Sequence, residues 1–227
     1  MEAHTQWLNL FKKSSFFCLN KEEELDGELK TLQSKIHYDQ AVDGFHPNRK
    51  QEFLLGRVCA SKAYELCTGE SLLKLTPNKD RSPAWPPTVV GTISHNQYWV
   101  GAAVAKKSKL LGIGMDFEVM GRTKISLSSQ IRSPGDIKSL GSFSEEELLT
   151  LIFSCKESLY KALHPNVKIF FGFEDAAVTR INLETHTFEI TLLTQIGPNF
   201  GPSGRSRFEG RFTIFNDSCL TVLEIEN

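Results

Sequence analysis

Residues 144–165, SEEELLTLIFSCKESLYKALHP, constrain the fold more than any other stretch of the chain. Ser144 and Glu147 have the S-x-x-E spacing of a capping box, in which two side chains satisfy open backbone N–H groups of a first helical turn. The apolar run Leu148–Phe153 follows, and Pro165 is a stop signal. The pattern predicts a helix from about 145 to 163. Within it Glu157 and Lys161 are four apart and share a face. Phe153 and Tyr160, seven apart, share another, and Leu159 and Leu163 add apolar surface. A Glu–Lys pair on a solvated helix face has the same spacing. The apolar upstream turns, however, place the later turns in the interior, where charges need partners or a metal ion. Cys155 lies about 160° around the helix from Glu157 and cannot share the carboxylate's face. It reads as a packing residue, with a Cys155–His95 thiol–imidazole dyad as the minor alternative.

A second helix is predicted from Pro47, PNRKQEFLLGRVCASKAYELCTG, with Gly69 as its stop. Phe53, Leu54, Val58, Ala63, Leu66 and Cys67 supply its apolar side. Lys50 and Arg57, seven apart, lie on nearly one face, and Arg49 sits in the first turn. Residues 1–46 read as irregular, with an acidic cluster over 21–26. Residues 76–88 hold four prolines and read as loop. The runs TVVGTISH, WVGAAVAKK and LLGIGMDFEV are short and rich in β-branched or small residues, which predicts neighbouring strands. Residues 120–143 read as loop or short helix, with a break at Pro134-Gly135. Further strands are expected near 173–182, 186–194, 208–215 and 219–225, with a Gly/Pro/Ser loop at 196–206. Helix-then-strands occurs twice, a hint of two similar halves joined near 105–111.

On a strand, Asp116 and Glu118 of MDFE point one way while Met115 and Phe117 point the other. Two carboxylates that close repel unless a positive charge intervenes, and a hard cation such as Mg²⁺ suits oxygen ligands. A solvated strand face paired with lysines gives the same pattern. Ser94-His95 ends an apolar run, where a hydroxyl and an imidazole would stand at a sheet edge; a structural histidine in a turn is equally readable. Ser94-His95 with Asp116 would make a hydrolase triad only with a G-x-S-x-G elbow, which is missing. No G-x-x-x-x-G-K-[ST] loop occurs.

The chain has 227 residues, enough for one large domain or two compact halves. A formal net charge of −1 shows none of the basic excess of nucleic-acid binders, so no nucleic-acid partner is expected. The N-terminus lacks the order of a secretory signal, and no run reaches the roughly 18 apolar residues of a membrane span. The five cysteines are widely spaced without a CxxC pair, which points to reduced thiols in a cytoplasm.

Five segments in order, R-K-Q-E-F-L-L-G-R (49–57), W-P (85–86), G-T-I-S-H (91–95), G-I-G-M-D-F-E (112–118) and F-S-C-K-E-S-L-Y-K-A (153–162), resemble the 4′-phosphopantetheinyl transferases. More narrowly they resemble the surfactin-type group and its enterobactin-synthase branch. Residues 1–45 and 196–206 show no comparable match. The resemblance implies an α+β fold of two similar α/β halves, a pseudo-twofold pseudodimer in one chain. The halves would be 1–108, on the coenzyme A side, and 109–227, on the metal side, with the active site between them. It implies an enzyme that moves the phosphopantetheine arm of coenzyme A to a serine of an acyl or peptidyl carrier protein, with Mg²⁺ (or Mn²⁺), releasing adenosine 3′,5′-bisphosphate. Carried over by motif, Asp116, Glu118 and Glu157 would hold the metal, and Asp116, Glu157 and Lys161 would be catalytic. Arg49, Arg57, Arg81, Ser94, His95 and Lys161 would contact coenzyme A, with Arg57 on the 3′-phosphate. Met115 and Phe117 replace the usual isoleucines, and Cys155 stands where Ala or Met is common. A single-chain monomer is expected. A Mg²⁺-dependent phosphohydrolase acting on a coenzyme A-like nucleotide is the alternative.

Overall fold

The computed structural model describes residues 7–22, 27–36 and 44–227. Its contacts divide the chain into two compact units, residues 11–111 with Asn227, and residues 112–226 with the segment that ends at Leu10. Both are α+β, each a long helix laid on a sheet.

In the smaller unit, β1 (Ser15–Asn20), β3 (Trp99–Lys106) and β2 (Val89–His95) form a sheet in that order, antiparallel throughout. Helix α1 (Gly27–Lys35) precedes α2 (Pro47–Thr68). Thus the stretch read as irregular, 1–46, supplies a strand and a helix. Phe17 and Leu19 of β1 face the helix that packs on this sheet, and Phe16 and Cys18 are buried on the opposite face, a period-2 signal that is short but present. Leu29 and Ile36 pack with Val58 of α2. Part of the acidic cluster, residues 23–26, lies outside the described residues.

Helix α2 starts with proline in its first turn and stops on Gly69, whose φ of 79° is left-handed. Leu55, Cys59, Ala63 and Tyr64 pack on Val89, Val100, Ala102 and Val104 of the sheet. Leu66, predicted on this face, is 62% exposed in the last turn. Trp85 explains the W-P motif: its indole lies so close over Gly91 of β2 that a Cβ there would stand 2.5 Å from it.

In the larger unit the sheet order is β4 (Leu110–Val119), β8 (Ser218–Glu226), β7 (Arg207–Phe215), β6 (Thr187–Leu192) and β5 (Ala176–Asn182). The pairs β5–β6, β6–β7 and β7–β8 are antiparallel. Strand β4 therefore does not neighbour β2 and β3 as the sequence suggested. Its partner β8 lies about a hundred residues away, a pairing that local pattern cannot encode. Short helices cover Ile125–Leu127 and α3 (Ser128–Ile131). The long helix α4 (Glu145–Val167) opens with the expected capping box: Glu147 N–H donates to Ser144 Oγ, and Ser144 N–H donates to Glu147 Oε2.

Pro165 does not end α4. It removes one backbone bond, and the helix runs on to Val167 and closes on Lys168, at φ 55°, whose N–H donates to His164 O. Leu149, Leu151, Ile152, Cys155, Leu159 and Leu163 are fully buried along it.

Trp7, also fully buried, belongs to this larger unit although residues 1–108 were expected to form the other half. Its ring meets Phe117 edge-on at 5.0 Å and Phe215 at 6.1 Å, and Arg211 Nε donates to Leu10 O. Removing such a buried aromatic leaves a cavity behind β4. Trp7→Ala should cost about 3–5 kcal/mol, read as a drop in the denaturant midpoint.

Candidate active site

The site is built where β4 and α4 touch. Small residues let them approach to backbone contact. A Cβ on Gly114 would stand 1.9 Å from Ser158 O, and one on Gly112 2.2 Å from Ala162 O. Buried hydroxyls bind the same seam. Thr221 Oγ1 of β8 lies 2.9 Å from Ser154 Oγ and 2.6 Å from Ser158 Oγ, and it donates to Ser154 O. Ser154 Oγ in turn donates to Asp116 O at 3.3 Å. Ser158 is therefore a buried tie and not a nucleophile.

On this seam the alternation of MDFE holds. Met115 and Phe117 are fully buried against the core, and Phe117 meets Trp7. Lys161 Nζ donates to Asp116 Oδ1 at 2.6 Å and to Met115 O at 3.3 Å. Asp116 is 4% exposed. Glu157 shares the helix face of Lys161, and its carboxyl is pushed up by burial and by Asp116, with Lys161 opposing. Glu118 is pushed from the ordinary 4.5 to about 7, first by burial, then by Asp116 and Glu157, against Lys161 and Arg122. Three carboxyls and one ammonium thus share a field: Glu118 feels Asp116 and Glu157, and Glu157 feels Asp116.

Among the described residues no three His, Cys, Asp or Glu side chains are gathered tightly enough to bind a metal as they stand. Asp116 is held by Lys161. The chemistry of the set nonetheless fits a hard divalent cation: all donors are oxygens, and burial, with repulsion between carboxylates added to it, already raises two of the carboxyls. A cavity of about 550 Å³ borders Glu157, walled by Ile131, Phe153, Tyr160, Phe171 and Phe173.

Five of the six expected coenzyme contacts, all but Lys161, lie in the smaller unit, and the structure brings two of them, Arg49 and His95, together. Arg49 Nη1 donates to His95 Nε2 at 3.2 Å, which leaves the ring proton on Nδ1, 3.6 Å from Glu52 Oε1. Glu52 also takes a bond from Lys21 at 2.9 Å and has Arg49 at 3.6 Å. Burial would raise the Glu52 carboxyl, but Lys21, His95 and Arg49 outweigh it and hold it below its ordinary value. Glu52 and Lys21 had no signal beyond a general Glu–Lys pattern. The tripeptide Asn96-Gln97-Tyr98, which fits no motif, is the β2–β3 turn: Asn96 Oδ1 accepts from Tyr98 and Trp99 N–H and so places His95.

Arg57 is buried. Its Nε donates to Leu75 O, its guanidinium lies 3.9 Å from the Phe53 ring, and burial with Arg49 nearby lowers it to about 10, still a full cation at neutral pH. Lys50 lies two turns earlier on the same side of the helix, as the spacing predicted, but is only half-buried. Ser94 is buried on the face of β2 opposite His95. Arg81 is exposed in the Pro-rich loop with a left-handed φ of 67°. Cys155 is fully buried and its thiol is pushed well up by burial, so it packs and does not react.

Residues 37–105 match the 4′-phosphopantetheinyl transferase N-terminal domain, and residues 112–207 match the 4′-phosphopantetheinyl transferase superfamily. The chain is 30% identical to 4′-phosphopantetheinyl transferase Svp of Streptomyces mobaraensis, over 85% of this chain and 77% of that protein. It is 30% identical to 4′-phosphopantetheinyl transferase Npt of Nocardia iowensis, over 77% and 82%. It is 34% identical to enterobactin synthase component D of Escherichia coli O157:H7, over 59% and 63%. The chain belongs to the 4′-phosphopantetheinyl transferases, and it is an enzyme. No helix among the described residues is long and apolar enough to cross a membrane.

The raised Glu118 carboxyl gives a signed pH effect. The fold binds its proton more tightly than the unfolded chain, so its contribution is present below about pH 4.5 and is lost as pH rises to about 7. With chelator present, Glu118→Gln should melt at the same temperature as the parent near pH 4.5 and higher at pH 8. Equal melting temperatures at both pH values would contradict the shift.

Proposed function

We propose that this enzyme transfers the 4′-phosphopantetheine group of coenzyme A to a serine hydroxyl of an apo acyl or peptidyl carrier protein, releasing adenosine 3′,5′-bisphosphate. The observation that carries the reading is the convergence of Asp116, Glu118 and Glu157 with Lys161 on one seam. Asp116, Glu118 and Glu157 would hold Mg²⁺, or Mn²⁺ in its place, which supplies positive charge to the pyrophosphate when bound.

The chain's own groups do the rest. The reaction is displacement at phosphorus, where positioning and charge matter more than covalent help. Lys161, placed by Asp116 and Met115 O, offers a proton and a charge to the departing phosphate oxygen. Glu157 borders the cavity, and its raised affinity for protons suits it to take the serine proton. Arg49 and His95 bind coenzyme A phosphate, and the incoming phosphate competes with Glu52 for both. Arg57 stiffens that site from beneath and adds its charge to the 3′-phosphate. Arg81 and Ser94 are secondary, the first on a surface loop and the second through its place in β2. All five cysteines are thiols, which supports a reducing cytoplasm. We read the active form as a single chain. The similarity to an enterobactin synthase component supports a siderophore or other nonribosomal peptide system, or a polyketide system, as the source of the carrier. No observation favours the phosphohydrolase alternative.

The decisive measurement is the mass of a candidate carrier incubated with the enzyme, coenzyme A and Mg²⁺. A gain of one phosphopantetheine arm, with adenosine bisphosphate released in step, is expected. Bisphosphate released without an acceptor would mean hydrolysis and sink the reading. Glu157→Ala should lower turnover about a thousandfold in a folded protein. Arg49→Ala should raise the KM for coenzyme A about 10- to 100-fold at nearly constant kcat, as expected for loss of a charge-assisted bond. A change confined to kcat would remove Arg49 from coenzyme binding.

A further inference from the structure

Lys156 precedes Glu157 and takes no part in the carboxylate seam. Adjacent residues on a helix point about 100° apart, so one turn of α4 aims its ammonium and its carboxylate in different directions. The Lys156 and Asp136 side chains are only 2% and 1% exposed, and their charges lie 2.8 Å apart. Lys156 Nζ also donates to Ile131 O at 2.8 Å, Ser133 Oγ at 2.7 Å and Phe173 O at 3.0 Å. Asp136 is equally engaged. Its Oδ2 accepts from Ser133 N–H at 2.7 Å and its Oδ1 from Val178 N–H at 2.6 Å. Ser133 Oγ donates to Ala176 O, and Ile137 N–H to Val178 O.

One buried ion pair thereby ties four pieces of chain: the middle of α4, the end of α3, the loop over 132–137, and the Phe173 turn that leads into β5. Lys156 itself walls the cavity beside Glu157, and so do Ile131, Phe173 and Ala176 of these pieces. A fully buried ion pair is a poor way to add stability, because desolvation offsets most of its attraction and apolar residues of similar volume often do as well. What an apolar pair cannot do is hold two carbonyls, a hydroxyl and a carboxylate around one atom in one arrangement.

We propose that Lys156 and Asp136 are positioning residues for the transfer: their pair fixes the rotation of α4 at Glu157 and the width of the cavity that Glu157 borders. The proposal rests on the reading of Glu157 as the carboxylate that acts on the acceptor.

The test is the double variant Lys156→Met/Asp136→Asn. It removes both charges, and it keeps an oxygen at residue 136 for Val178 N–H. Circular dichroism and a cooperative melt establish the fold, and kcat and the KM for coenzyme A are measured with a carrier protein. A folded variant with kcat reduced about 30-fold and the KM for coenzyme A within twofold is expected, the size seen when a supporting residue behind a ligand is lost. A folded variant with kcat within fivefold of the parent overturns the proposal, and so does a loss in which that KM rises in step. Should the double variant fail to fold, Ser133→Ala decides, since it removes one ligand of the strut and leaves both charges. A fall in kcat of more than twofold at constant KM supports the proposal, and a smaller one overturns it. Glu157→Gln, run in parallel, separates the two readings. An active Glu157→Gln removes the role of Glu157 itself, whereas an inactive one beside a fully active double variant removes only the strut.

Discussion

Everything in the catalytic unit depends on how closely α4 lies on β4. Gly112 and Gly114 present bare backbone, and Ser158 and Ala162 answer with carbonyl oxygens that leave no room for a methyl group. That closeness sets the reach of the polar residues beside it. Lys161 extends over the strand to Asp116 because the helix axis is brought in by the missing side chains. The serine and threonine hydroxyls along the seam then satisfy the polar backbone that such contact would otherwise strand.

The arrangement also separates two kinds of charge in one helical turn. Glu157 and Lys161 share a field with Asp116 and Glu118 in which like charges crowd and a cation is welcome. Lys156 is compensated completely by its own carboxylate and by carbonyl oxygens. Burial draws its ammonium below the ordinary value, and the bond it donates to Asp136 opposes that pull. A turn that carries both can be reactive on one side and fixed on the other.

Much of this was legible in the sequence where the signal is local. The capping box at Ser144, the left-handed stop at Gly69 and the alternation of MDFE are set by neighbours within a few residues, and each appears where the pattern placed it. That Asp116, Glu118, Glu157 and Lys161 belong together was an expectation drawn from the order of the motifs that carry the family resemblance. The rest depends on partners far along the chain. Asp136 meets Lys156 twenty residues on, and Ser133 with Asp136 shows only the S-x-x-D spacing that elsewhere caps helices. Strand β4 looks like a continuation of β2 and β3 and pairs instead with β8. Pro165 is a breaker by type, but in the last turn of a helix it removes only one bond. Leu66 shows the reverse failure, an apolar residue in a helical stripe with nothing laid over it.

The place of Trp7 bears on the order in which the chain can fold. The smaller unit is drawn almost wholly from one continuous stretch, residues 11–111, so its contacts can close as soon as that stretch exists. The larger unit cannot. Its sheet needs β8, the last strand in the chain, and its core needs Trp7 from near the beginning. Closing so long a loop is slow, because chain entropy is lost before the contacts that reward it are made. The ring behind Phe117 is thus made long before it is used, and the strand that carries the two carboxylates acquires its backing only when segments about 200 residues apart have met.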